Sequence, residues 1–215
     1  MRAFITFEGI EGSGKTTQIQ LLSTHLDRSG IEHVLTREPG GTPAGNQIRR
    51  LLLDPDNRDL SPLAELLLYQ AARAQHLARV IVPALAEEKI VLCDRYKDAT
   101  RAYQGKGRQL PWELVEQLNR LDLLALEPDL TLLFDLNPAT ALARARQREG
   151  SALTEQSRFE QESMEFHQRV REAYRSLAAA SPQRIRTVDA DGSIQDVQGR
   201  VLAVLKKAFP SLAIA

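Results

Sequence analysis

Gly9-Ile10-Glu11-Gly12-Ser13-Gly14-Lys15-Thr16 follows directly on the apolar run Ala3-Phe4-Ile5-Thr6-Phe7 and is continued by Thr17. Strand-forming residues before it and a helical amphipathic pattern after it give the spacing its meaning: this is a phosphate-binding P-loop. Its glycines let the backbone wrap closely enough for successive N–H groups to converge on phosphate oxygens. The helix that begins at the end of the loop adds its positive pole. Lys15 is expected to reach the outer phosphates, and the Thr16 hydroxyl to ligate the magnesium ion of a bound nucleoside triphosphate. Residues Gly9 to Thr17 are therefore the expected triphosphate site.

Working outward, β-type apolar runs recur at 3–8, 32–36, 90–93, 130–135 and 185–188. Helical patterns at about 14–29, 43–53, 62–88, 111–124, 138–148, 155–179 and 193–208 separate them. Strands alternating with helices build βαβ units. The expected fold is thus α/β, a P-loop NTPase fold with a five-stranded parallel sheet flanked by helices. One domain over 1–215, with a small mobile lid at about 144–160, accounts for the length. Ligands on such sheets bind beyond the carboxyl ends of the strands. The P-loop, Arg37-Glu38-Pro39-Gly40-Gly41-Thr42, Asp94-Arg95-Tyr96 and Asp135 all fall at that edge. Phe209 to Ala215 reads as a loosely held tail.

Basic and acidic residues balance at 28 each, so the charge gives no reason to expect a nucleic-acid or membrane partner. The one cysteine, Cys93, lies in an apolar strand, which excludes an internal disulfide framework. There is no charged-then-apolar leader layout and no run of membrane-spanning length, and a cytoplasmic setting is expected. His25, His33, His76 and His167 stand in no metal-ligand spacing, which leaves a metal-dependent hydrolase without support.

Three kinds of P-loop protein compete. A switch GTPase needs an Asn-Lys-x-Asp guanine reader, and none occurs. A motor or transport ATPase would end a strand in paired acids. Here the strand ends are Cys93-Asp94-Arg95 and Phe134-Asp135-Leu136. An acid beside an arginine suits phosphoryl transfer: Asp94 would hold magnesium through water, and Arg95 would bridge donor and acceptor phosphates. Arg37, with Arg49 and Arg50 in the next helix, reads either as a turn and solvated basic face or as a cradle for a second phosphate. Arg144, Arg146, Arg148 and Arg158 read either as solvent-facing charge or as a lid that excludes water and stabilises the transferring group.

Taken together these residues resemble the bacterial thymidylate kinases over residues 3 to about 175. Glu8-Gly9…Gly14-Lys15-Thr16-Thr17 is similar to the family's P-loop, and Thr36-Arg37-Glu38-Pro39-Gly40-Gly41-Thr42 to its second-loop signature. Tyr69-Gln70-Ala71-Ala72-Arg73 resembles its base-binding helix. Asp94-Arg95-Tyr96 through Ala102-Tyr103-Gln104-Gly105 resembles its third motif, and Arg158-Phe159-Glu160-Gln161-Glu162 the segment after its lid. The resemblance implies transfer of the ATP γ-phosphoryl group to dTMP, by a homodimer. It places Arg95, Arg37 and Arg49 on the dTMP phosphate, in a site that includes Pro39 and Thr100. Glu11 would accept from the 3′-hydroxyl, and Tyr69 would stack on thymine. Arg73 and Gln104 would meet the base edge, and Tyr103 would press where a ribose 2′-hydroxyl projects. Ile10 to Ser13 contain no basic residue, so the resemblance assigns the catalytic arginine to the lid: Arg148 first, Arg158 next, beside Lys15, Arg95 and Asp94.

The chain departs from the family pattern at several positions. Ala99 stands where serine is common, which leaves Thr100 as the nearest hydroxyl. Tyr69 stands where phenylalanine is commoner, and Lys106 and Gln109 where glycines are. The stretch Glu149 to Ser157 is longer, and Ser157 replaces a common aspartate. The rival readings are another monophosphate kinase, a deoxynucleoside kinase and a non-catalytic ATP-binding module. Three acceptor-side arginines argue against the second. Lys15, Thr16, Asp94 and Arg95 together argue against the third.

Overall fold

The computed structural model describes residues 1–57, 59–149 and 158–212, without the side chains of Leu123, Arg148, Glu149, Arg158 and Glu160. Five parallel strands lie in the order β2-β3-β1-β4-β5: β1 Ala3–Glu8, β2 His33–Arg37, β3 Ile90–Asp94, β4 Leu130–Asp135 and β5 Ile185–Asp189. This is the expected parallel sheet. The placement of β1 between β3 and β4 brings the loops after β1, β2 and β3 to one edge.

Successive strand residues face opposite sides, and the core follows that rule. Ala3, Ile5 and Phe7 join a cluster with Ile19, Leu22 and Leu26 of α1 (Lys15–Arg28) and with Val197, Val201 and Leu205 of α9 (Ile194–Ala208). Phe4, Val91 and Cys93 join Leu77, Ile81, Leu85 and Tyr96 in a second cluster. Each of these aliphatic side chains contributes about 2 kcal/mol on burial. Thr6 and Glu8 are buried as well and are satisfied by hydrogen bonds: Thr6 Oγ1 lies 2.8 Å from Thr131 Oγ1.

Between β2 and β3 run α2 (Pro43–Leu53), α3 (Pro62–His76), a wide π turn at Leu77–Ile81, and α4 (Val82–Ala86). The pattern at 62–88 predicts one helix. The chain divides it because Pro83 has no N–H to donate and its ring crowds the carbonyl one turn back, which the widened turn relieves. α5 (Lys97–Thr100) and a second π turn at Arg101–Gly107 precede α6 (Trp112–Asn119). No apolar stripe announces the helical stretch at 97–107. Its buried residues include Lys97 and Asp98, charged groups tied from elsewhere: Lys97 is paired to Glu127 at 2.7 Å and Asp98 to Arg184 at 2.6 Å.

Beyond β4 come α7 (Pro138–Glu149) and α8 (Met164–Ala180). The pattern predicts a helix from 155; α8 instead starts after Ser163, whose side chain caps it by accepting from Phe166 N–H at 3.3 Å. A short 3₁₀ turn, Arg158–Gln161, stands before it. At the C-terminus Leu212 is buried and Phe209 packs on the core, so the expected loose tail is held at least to residue 212. No helix among the described residues is long and apolar enough to cross a membrane.

Candidate functional site

The P-loop closes over the end of β1. Gly9 adopts φ 140° with the Phe134 carbonyl where a Cβ would stand, and Gly12, at φ 74°, lies flush against the Ala141 carbonyl. Neither position admits a side chain. Lys15 caps the loop from within, donating to Ile10 O at 2.7 Å and to Ser13 Oγ at 3.3 Å. Burial and the nearby Arg95 charge push its ammonium down to about 7. Thr16 Oγ1 donates to Asp94 Oδ2 at 2.9 Å, so the P-loop hydroxyl and the β3 carboxylate meet at the sheet edge.

Arg95 sits in the turn after β3. Its guanidinium donates to Gly9 O at 3.0 Å and to Glu11 Oε1 at 2.8 Å, and lies over the Tyr103 ring, 4.9 Å from its centre. Glu11 also accepts from the Tyr103 hydroxyl at 2.6 Å. Burial opposes the Glu11 charge, but Arg95, Lys15 and Tyr103 outweigh it and hold the carboxyl below its ordinary value. Tyr103 packs edge-on against Phe159, Phe166 and Tyr174. Sequence reading did not single out Glu8. It accepts from the N–H groups of Tyr96 (2.7 Å) and Ala99 (3.2 Å) and from the Tyr174 hydroxyl (2.7 Å). Burial, aided by Asp98, pushes its carboxyl up to about 7.

These groups open onto a cleft of about 1050 Å³ that Arg37, Pro39, Arg49, Tyr69, Arg73, Thr100, Tyr103 and Phe159 also line. The peptide between Glu38 and Pro39 is cis, and Arg49 donates to Pro39 O at 3.1 Å. Arg37 and Arg49 have no carboxylate partner among the described residues. Burial and the Arg37 charge lower Arg49 from its usual value. Uncompensated guanidinium groups of this kind make a site for an anion. Arg73, almost wholly buried, donates to Glu38 Oε2 at 2.7 Å and to Thr100 Oγ1 at 2.8 Å.

Not every expected residue gathers there. Gln104 is buried outside the cleft lining, its amide donating to Glu65 at 2.7 Å. Asp135, at the same strand edge, is closed off by Arg171 at 2.6 Å. Arg144 is held by Ala190 O at 3.0 Å and Asp191 at 3.1 Å, and Arg146 is exposed on α7. The side chains of Arg148 and Arg158, and residues 150–157 of the expected lid, lie outside the described residues. No group of three or more His, Cys, Asp or Glu side chains among the described residues is arranged to hold a metal ion on its own.

A P-loop on a five-stranded parallel sheet, opening onto a cleft rich in arginine, defines a phosphotransferase of the nucleotide kinase class. The family model for thymidylate kinase matches residues 7–201, and the chain belongs to that family. It is 53% identical over 204 residues to the thymidylate kinase of Pelobacter propionicus, covering 94% of this chain and 93% of the relative. It is 55% identical over 210 residues to that of Syntrophotalea carbinolica, covering 97% of each. The crystal structure of thymidylate kinase from Ehrlichia chaffeensis superposes with a TM-score of 0.75 at 38% identity, over 94% of this chain and 98% of that one.

Proposed function

We propose that this protein transfers the γ-phosphoryl group of ATP to dTMP, giving dTDP and ADP. The observation that carries the proposal is the pair Arg37 and Arg49, uncompensated guanidinium groups lining the cleft that the P-loop opens onto. A hydrolase or a nucleotide-binding module has no use for a second anion site in the same cleft as the P-loop. An acceptor that is already a phosphate monoester does.

In this reading the P-loop amides and Lys15 hold the triphosphate. Arg95, with Arg37 and Arg49, fixes the acceptor phosphate and spreads the charge that develops between the two. The nucleophile is an anionic phosphate oxygen, so no strong general base is needed. Glu11 meets the 3′-hydroxyl, Tyr69 supplies the stacking face and Tyr103 guards the 2′-position. Arg73 and Thr100 read the base edge. Gln104, buried outside the cleft lining with its amide given to Glu65, is assigned no contact with the base. Arg148, then Arg158, would supply the lid charge.

The hydroxyl of Thr16 and the carboxylate of Asp94 are hard oxygen donors already brought together, a set that fits magnesium. Bound there with ATP, the ion would neutralise charge on the phosphate oxygens. The exposed Leu51 of α2 and Leu63 and Leu67 of α3, on two helices packed side by side, support a homodimer through that face. A cytoplasmic location follows from dependence on ATP and a nucleotide acceptor. The test is product analysis: the ³¹P spectrum of a reaction with ATP and dTMP should show dTDP and ADP in equal amounts. Release of inorganic phosphate instead would overturn the proposal.

A further inference from the structure

Arg73 carries five N–H donors. Nε donates to Glu38 Oε2 (2.7 Å), Nη1 to Gln70 Oε1 (3.4 Å) and Asn119 Oδ1 (3.3 Å), and Nη2 to Thr100 Oγ1 (2.8 Å). The Tyr96 ring lies 5.0 Å from the guanidinium carbon and sets its plane. Four donors are thus spent. One on Nη2 has no partner among the described residues, and Arg73 lines the cleft. One fixed donor accepts a base that presents a carbonyl oxygen and meets a base that presents an amino group donor against donor.

The aim of that donor depends on rotation of the guanidinium within its plane, and Glu38, the charged partner and the one at the shortest distance, holds that rotation most firmly. Glu38 stands in the loop after β2, where something must hold its carboxylate in place. His76 does so: Nδ1 meets Glu38 Oε1 at 3.1 Å, and Nε2 meets Thr36 Oγ1 at 2.6 Å. A neutral imidazole satisfies both contacts at once, donating through Nδ1–H to the carboxylate and accepting from the threonine hydroxyl at Nε2. The ring is wholly buried, and a Cβ on Gly41 would strike it, so loop and ring fit flush. Arg73 and His76 are three residues apart on α3 and share a face. His76 itself does not line the cleft.

We infer that His76 is a positioning residue for base selection: it fixes Glu38, Glu38 fixes Arg73, and Arg73 is left with one donor for a pyrimidine carbonyl. The inference rests on the acceptor reading above. The test is steady-state kinetics with dTMP and dCMP as acceptors for His76→Phe, His76→Asn, Thr36→Val and Arg73→Met. His76→Phe should raise KM for dTMP about tenfold and reduce the preference for dTMP over dCMP by a similar factor. Its KM for ATP should be unchanged and its kcat within about threefold of wild type. His76→Asn keeps a donor at the place of Nδ1–H and should recover most of the loss. Thr36→Val frees the far side of the ring and should raise KM for dTMP about threefold.

An unchanged KM for dTMP and unchanged base preference in His76→Phe would overturn the inference. So would kcat and both KM values changing together with asparagine no better than phenylalanine. If His76→Phe does not fold, a wild-type KM for dTMP in Thr36→Val overturns it alone. Wild-type protein that does not turn over dTMP fails the functional reading itself. Arg73→Met with an unaltered KM for dTMP fails the base-reading role of Arg73. Each of these is distinct from a silent His76.

Discussion

Arg95 donates to Glu11 Oε1 at 2.8 Å from a backbone held at φ 68°, in the left-handed region that residues with a side chain rarely occupy. That conformation costs about 1 kcal/mol or more. The bonds around it offset the cost: Arg95 N–H donates to Phe7 O at 3.0 Å, and Glu8 gathers the N–H groups of Tyr96 and Ala99. The strained turn aims one guanidinium at the P-loop and at the acceptor cleft together. It is the point where the two halves of the site are joined.

Removing that guanidinium should therefore stop transfer while leaving ATP in place. Arg95→Ala is expected to lower kcat/KM for dTMP by about 10³ or more. ATP affinity, read by calorimetric titration, should stay within a few-fold of wild type. Loss of ATP binding in this variant would contradict the assignment of Arg95 to the acceptor and the transferring group.

Glu8 makes stability depend on pH. Its carboxyl, raised to about 7 from an ordinary 4.5, keeps its proton in the folded state after the unfolded chain has lost it. The associated stability is fully present below the ordinary value and is lost as pH rises through about 7, with a span of about 3 kcal/mol. Glu8→Gln preserves the acceptor oxygen for Tyr96 and Ala99 and should flatten that slope. Denaturant midpoints measured from acidic to neutral pH for both proteins decide it; parallel slopes would contradict the role of burial at Glu8.

Lys15 carries the opposite consequence. Burial and Arg95 bring its ammonium down to about 7, so near pH 8 much of it is neutral. A triphosphate beside it restores the charge. ATP binding should then take up a sizeable fraction of one proton, seen as a dependence of the binding enthalpy on the ionisation enthalpy of the buffer. The dependence should vanish in Lys15→Met. A buffer-independent enthalpy in wild type would contradict it.

Tyr103 is wedged among Phe159, Phe166 and Tyr174 with its hydroxyl on Glu11. Tyr103→Phe keeps the packing and should cost about tenfold or less in kcat/KM. Tyr103→Ala opens the wall and should shift preference toward ribonucleoside monophosphates by about tenfold. Unchanged sugar preference in the alanine variant would count against Tyr103 as the guard.

The proposed dimer face is testable apart from the chemistry. Leu67, half exposed on α3, should tolerate glutamate within the monomer. Light scattering should report the wild type as a dimer and Leu67→Glu as a monomer; identical masses would contradict that face.

The P-loop, the strand sequence and the arginines of the second and third loops were legible in the sequence because each is a local pattern. The P-loop's geometry is set by adjacent residues, and the strands announce themselves by apolar runs. What stayed hidden is tertiary. Glu8 reads as one more strand residue, and only the fold sets it under Tyr96 and Ala99. The helical stretch at 97–107 carries no apolar stripe, since Lys97 and Asp98 are buried by partners at Glu127 and Arg184. One signal was only partly used: beside Arg73, already assigned to the base edge, Glu65, Gln70 and His76 fall on the buried side of α3. Polar residues on the inner face of a helix need partners, and these lead to Glu38 and Asn119.

Acceptor selectivity decides whether this protein is a dTMP kinase. The measurement is ADP formation from ATP and magnesium across a panel of nucleoside monophosphates, with thymidine as a control for the acceptor phosphate. Turnover with dTMP well above the other monophosphates, and none with thymidine, is the expected result. Preference for another monophosphate would keep the arginine cleft and contradict the base site; no turnover with any acceptor, given proven ATP binding, would contradict the kinase itself.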